Sequence, residues 1–538
     1  MSSLRGSAFW LAALAASGAG CGRQLEDGPS EPKAPPTHAL LAPSLRRLSV
    51  AELERGAEAV VTTKLELSRA LPPDARQNDF SRSLTQSVDA LTLTKLYDVS
   101  KDAAEKLDLA SAAFPSCAAR ATPADATCAE QVTRTLATRA FRRQPTKAEL
   151  ASLRALFDAA AHDATFQDGA ALLVRALLGG PQFLYESALG SAASTDAGET
   201  FLLTDAELAS QLAWLVSGGP PDDELIAVAA AGQLRSAAER EPQMWRLLTH
   251  SDARELYRRF VEEWLGISRL RGLAKSTTVA PDFTRLREAM LQETEAFVDE
   301  VVASRHGSLA ALLSGSFSSV PAELSELYGI ETPAAGQRVS LGNLGRIGIL
   351  QHASFLATFA HEAESAPVLR GKAVLERLLC RRLPKPAELG INVVLPAPDA
   401  ATTTRERFQQ HAADPLCRQC HDVIDGIGFS FENFDAVGRL RASEAGKSID
   451  TTGHLVLDGQ ELALSDSAEL SRALAQSKDL ADCAARQVVR FAAGQESPAV
   501  EDDFVASVHD LPSSERGSLL GLMLAYVKSD WFAKRSAP

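Results

Sequence analysis

Three times this chain sets a hydroxyl three residues ahead of a glutamate at the head of an apolar run: Ser49 with Glu52, Thr146 with Glu149, and Thr204 with Glu207. In that arrangement the hydroxyl oxygen accepts from a backbone N–H of the first helical turn, and the carboxylate reaches back to the N–H of the cap. Two donors that a helix start leaves unmatched are satisfied together. Asp466 ahead of Glu469 repeats the pattern with a carboxylate cap, which also suits the positive end of the helix dipole. Apolar residues recur at helical spacing over 149–161, 205–215, 252–265 and 286–302, whereas alternating runs are few, the best being His454 to Leu457. The chain is therefore expected to be mainly α, a multi-unit helical protein with few short strands.

At 538 residues the chain exceeds what one core usually organises. Gly, Pro, Ser and Thr interrupt the helical periodicity over 190–198, 329–336, 384–404 and 445–459. These breaks predict N-terminal helical modules over 45–190, a large helical module over 191–335, a motif-bearing module over 336–445 and a C-terminal helical module over 446–538. Hydrophobic residues make up 45% and charged residues 23%, the balance of folded soluble material rather than disorder or a membrane bundle. A formal net charge of -14 argues against nucleic acid as a partner, because phosphate binding needs a surplus of Lys and Arg.

The first twenty residues read as an export signal. Arg5 gives a positive start, and Ala8 to Ala16 form an apolar run too short to span a bilayer. Ser17-Gly18-Ala19-Gly20 then precede Cys21, as in the lipobox at which a bacterial signal peptidase cuts and the new N-terminal cysteine is acylated. Residues 21–44, rich in Pro, Glu and Ser, read as a flexible tether behind that anchor. The expected location is the cell envelope, lipid-anchored to the outer or inner membrane and facing the periplasm or the surface.

The most specific chemical signal is Cys417-Arg418-Gln419-Cys420-His421. Cys-x-x-Cys-His is the attachment sequence of c-type haem: the two thiols add across the porphyrin vinyl groups, and the adjacent imidazole becomes the proximal iron ligand. Seven Cys and ten His in 538 residues give about 0.002 such motifs by chance. The serious competitors are a Cys417–Cys420 disulfide, a metal half-site with His411 and His421, and a redox-active dithiol. The last expects a strand before the first Cys, where Gln410 to Pro415 reads as a helix end and turn. If Cys21 carries lipid and Cys417 and Cys420 carry one haem c, four cysteines remain in an oxidising compartment. Of their three pairings, Cys117 with Cys128 and Cys380 with Cys483 is the expected one.

Candidates for the distal haem ligand are His411, His361 and Met523, of which Met523 sits in the apolar segment 519–527 and is the best fit to plain core packing. The iron could equally be five-coordinate. There is no Gly-x-Ser-x-Gly elbow, P-loop or His-Glu-x-x-His, so no hydrolase or transferase is indicated and catalytic residues are assigned to none. Asp222-Asp223 and Asp502-Asp503 read as solvated helix-start charges.

Several longer segments resemble one family. Cys417 to Arg439, CRQCHDVIDGIGFSFENFDAVGR, is similar to the haem-motif module of the multi-module cytochrome-like lipoproteins of planctomycetes and myxobacteria, strings of domains of unknown function of the 1592/1588/1585 type. Leu136 to Leu150 resembles the family's short module and Leu203 to Leu270 its large helical one. Arg346 to Cys380 is similar to the segment leading into the haem module, and Asp482 to Gly494 with Tyr526 to Phe532 to the C-terminal one. Trp214-Leu215-Val216-Ser217-Gly218-Gly219-Pro220 and Glu364-Ser365-Ala366 depart from the family's pattern. The resemblance implies a cytochrome c-like haem module in the C-terminal part and an envelope lipoprotein, with no substrate attached. The expected role is electron transfer through one haem to a redox partner protein. The alternatives are a non-haem docking lipoprotein with a Cys417–Cys420 disulfide and a haem enzyme with an open distal site.

Overall fold

Ser49, Thr146 and Thr204 each accept from the N–H of the glutamate three residues on, and each glutamate accepts in return from its cap's N–H. The helices they open run Val50–Val61, Lys147–Ala161 and Asp205–Val216. Asp466 caps helix Ser467–Gln476 through the N–H of Glu469. Thr165 and Asp168 form a further capping box at the head of helix Phe166–Leu178. The periodic stretches at 252–265 and 286–302 become helices Ser251–Trp264 and Phe283–Arg305.

The computed structural model describes residues 38–191, 195–196, 200–384, 386–389, 401–411 and 415–537. The signal segment and Cys21 lie outside the described residues. The chain separates into residues 1–38 and a second unit, Ala39–Pro538, which holds every element of the fold. Among the described residues no helix is long and apolar enough to cross a membrane. The molecule is mainly helical, and its strands are short and antiparallel. Strand Ser44–Arg47 pairs with Tyr185–Ala188, Lys534–Ser536 with Thr200–Leu202, and Gly453–Leu457 with Gln460–Leu464. The last pair contains the alternating run predicted at 454–457.

Two apolar cores fill the second unit. The smaller is built from Leu48 through Leu184, with Trp214 inserted from the region that follows. The larger takes in residues from Ala188 to Ala533, with Leu41 and Phe80 inserted from the first region. Phe80 stacks on Phe260 and meets Phe491 edge-on, at ring separations of 5.7 and 5.3 Å. Each of these exchanged aromatics is at most 1% exposed, and burying such a side chain contributes about 2 to 3 kcal/mol. The two cores meet between Leu184 and Ala188, and the larger takes in residues on both sides of 335 and of 445. Residues 39–41, read from sequence as tether, are held instead: the Ala39 N–H donates to Asp503 and the Leu41 carbonyl accepts from Ser536.

Under the first strand pair lies a buried charge cluster. Arg46 donates to Glu52 and Glu186, and Arg82 to the same two carboxylates, at 2.6 to 3.0 Å. Burial alone would lower Arg46, but Glu52 and Glu186 outweigh it and hold the guanidinium above its ordinary value, while Glu52 is held well below the usual carboxylate range. Both expected disulfides are present, Cys117–Cys128 inside the smaller-core region and Cys380–Cys483 within the larger.

Candidate functional site

Helix Pro415–Gly428 carries the Cys-x-x-Cys-His motif. Proline suits a first helical position because its fixed φ matches the helix and the missing N–H would be unmatched there anyway. Spacings of three and four residues bring side chains onto one face of a helix, so Cys417, Cys420 and His421 share a stripe with Ile424. Cys417 and Cys420 are half-buried free thiols. The disulfide weighed as an alternative is not formed, although both other cysteine pairs are bonded. Among the described residues the element that comes next before the motif helix is not a strand but helix Thr404–His411.

The motif helix is seated by backbone contact on two sides. A Cβ on Gly371, in helix Pro367–Ala373, would stand 2.1 Å from the Ile424 carbonyl, and one on Gly428 would stand 2.1 Å from that of Pro367. On the other side, a Cβ on Gly453 would reach the Gly426 carbonyl at 1.9 Å. Side chains at these positions would force the three elements apart, so the glycines let backbone lie on backbone. Past the helix end, Arg370 is fully buried and donates to the carbonyls of Phe431, Phe434, Asp435 and Leu356, bracing the loop that leaves the motif. Burial pushes its guanidinium down to about 10. Glu432, raised by burial, accepts from Ser365 and Arg441 beneath that loop.

The imidazole of His421 is oriented by its own helix. Nδ1 lies 3.1 and 3.2 Å from the two carboxylate oxygens of Asp425, one turn on. A carboxylate only accepts, so Nδ1 carries the proton, and an imidazole held this way coordinates through Nε2. The hydrogen bond to Asp425 also raises the His421 pKa. His421 borders a cleft of about 460 Å³ shared with Arg405, Arg418, Asp425, Phe429 and His454. Arg405 stacks over the Phe429 ring at 4.3 Å and donates to the carbonyls of Asp450 and Thr452. Of that stripe only His421 borders the cleft; Cys417 and Cys420 do not line it. Two unpaired thiols and an imidazole of fixed tautomer, on one helical face, fit the donor set of a covalently held haem.

The distal candidates fall elsewhere. His411 ends helix Thr404–His411, and its side chain lies outside the described residues. His361 is exposed in a turn closed by the bridge between Ala360 and Ser365, its N–H donating to Glu364 and its carbonyl accepting from Lys275. Met523 is fully buried in helix Leu519–Lys528, packed against helices Ala237–Leu247 and Lys478–Ala493. Neither His361 nor Met523 lines the cleft that His421 borders. His454, overlooked in the sequence, does; its place at the head of a strand gave no reason to link it to the motif. Asp425 was also overlooked, though a carboxylate four residues beyond a histidine on a helix is a readable signal. Among the described residues, no group of three or more His, Cys, Asp or Glu is placed to hold a metal ion.

The architecture is thus a helical chain whose motif helix is clamped by glycine contacts inside a larger core. Three family models match it in succession, each described as a protein of unknown function: DUF1595 over residues 128–187, DUF1592 over 203–330 and DUF1588 over 346–444. These are the domains of unknown function of the planctomycete and myxobacterial multi-module type, and the chain is of that type. The third match spans the motif helix and both of its braces, Gly371 and Arg370. No curated protein and no solved structure matches the chain.

Proposed function

We propose that this chain is a cell-envelope, c-type cytochrome-like lipoprotein that carries one covalent haem and passes electrons to a redox partner protein. The observation that carries the reading is the display of two unpaired thiols and an oriented imidazole from one face of a single buried-footed helix. Cys417 and Cys420 would hold the ring through thioether bonds, whose formation by addition of a thiol across a vinyl group would consume no oxidant. His421 would hold the iron through Nε2, its Nδ1 being engaged by Asp425. Bound haem supplies a one-electron couple. Ile424, Ile427 and Phe431, each at most 5% exposed, keep water from the inner side of the helix. Cys21 carries the lipid and attaches the chain to a membrane, and two disulfides suit the oxidising compartment in which c-type haem is attached.

The test is production of the exported chain in a host competent for cytochrome c maturation, followed by haem-linked peroxidase staining on a denaturing gel. The wild type is expected to stain and Cys417→Ala to lose the stain; an unstained wild type rejects the proposal. Cys21→Ala is expected to move the protein from the membrane fraction to the soluble one.

A further inference from the structure

Asp425 is 7% exposed, and both of its carboxylate oxygens face Nδ1 of His421. A carboxylate that deep needs a donor, and the helix supplies one from the preceding turn. The reverse also holds: the acceptor decides which imidazole nitrogen keeps its proton and how much electron density the other can give. A full negative charge on the acceptor draws the Nδ1 proton more strongly than a neutral carbonyl would, so the ring acquires imidazolate character and becomes a stronger donor at Nε2. A stronger donor favours the more highly charged state of a metal.

We infer that Asp425 is a positioning residue for the axial ligand, fixing the His421 tautomer and, through its charge, lowering the reduction potential of the haem. The inference rests on the haem reading above. It goes further by predicting a centre biased toward the oxidised form, suited to a low-potential partner. Asp422 provides the built-in control, since it lines the same cleft two turns before Phe429 and carries the same charge, but is exposed and is not the acceptor at His421 Nδ1.

The experiment compares the full-length, haem-loaded wild type with Asp425→Asn, Asp425→Glu and Asp422→Asn. Covalent loading is read by haem staining and the midpoint potential by spectroelectrochemical titration. Asp425→Asn is expected to stain as the wild type does and to shift the midpoint upward by clearly more than Asp422→Asn. Asp425→Glu, which keeps the charge on a longer arm, is expected to fall between wild type and Asn, and it carries the comparison if the Asn variant does not accumulate. Equal shifts for Asp425→Asn and Asp422→Asn at full loading overturn the inference while leaving the haem intact. A wild type that takes up no haem overturns both.

Discussion

Arg46 and Arg82 are buried against two carboxylates, whereas Arg370 is buried against four backbone carbonyls. The first arrangement is neutral within itself and ties together strand Ser44–Arg47, helix Val50–Val61, the Arg82 loop and strand Tyr185–Ala188. The second uses a cation to satisfy an irregular loop, the one leaving the motif helix, that has no ladder of its own. The disulfides follow the same division: Cys117 and Cys128 are 11 residues apart and Cys380 and Cys483 are 103 apart. The smaller-core region is cross-linked locally and by charge; the motif region is cross-linked over long range and by backbone contact.

The largest expected effect breaks the long-range link. Cys380→Ser with Cys483→Ser should cost about 4 to 5 kcal/mol in denaturant unfolding, since loop-closure entropy grows with the closed loop. Hydrogen exchange should then rise in both 374–381 and 478–493. Next, Arg46→Met leaves the buried Glu52 and Glu186 to share Arg82 alone, an uncompensated charge that should cost about 3 to 5 kcal/mol. The pH dependence sharpens this. Glu52 and Glu186 have folded pKa values below their ordinary 4.5, so their stabilisation is present above that pH and is lost as pH falls below it. Unfolding followed from pH 6 to pH 3 should lose stability less steeply in Arg46→Met than in the wild type. Cys117→Ser with Cys128→Ser should cost about 3 kcal/mol, with faster exchange confined to the neighbourhood of 110–140. Equal exchange effects from the two cysteine pairs would remove the distinction between regions. The smallest effect is Thr165→Ala, which removes one cap and should cost about 1 kcal/mol by the same unfolding measurement.

Local chemistry made the helix starts, the alternating run at 454–457 and the short Cys117–Cys128 loop legible in the sequence, and the cysteine count then left Cys380 to pair with Cys483. Thr165-x-x-Asp168 escaped notice because the reach-back partner is Asp rather than the usual Glu. The motif residues were equally plain, but what seats them was not. Gly371 under Ile424, and Gly426 against Gly453, are contacts between segments far apart in the chain, and periodicity carries no information about which distant backbones touch. The same holds for Arg46 and Glu186, 140 residues apart. Breaks near 335 and 445 read as boundaries because turn residues mark where helices stop, not whether the apolar faces on either side share a core.

The strand Lys534–Ser536 has a consequence for the order of assembly. It lies against Thr200–Leu202, its last residue donates to the Leu41 carbonyl, and Trp531 donates to that of Ala39. The residues at the start of the folded unit are thus fastened by residues about 490 positions further along the chain. The region with the smaller core has almost all of its apolar residues once position 184 has emerged, and domains generally fold as units in the order they are made. The larger core, and the seating of the motif helix within it, must wait for the C-terminal residues. The contacts of residues 39–41 with Trp531 and Ser536 form only after those two residues have been made.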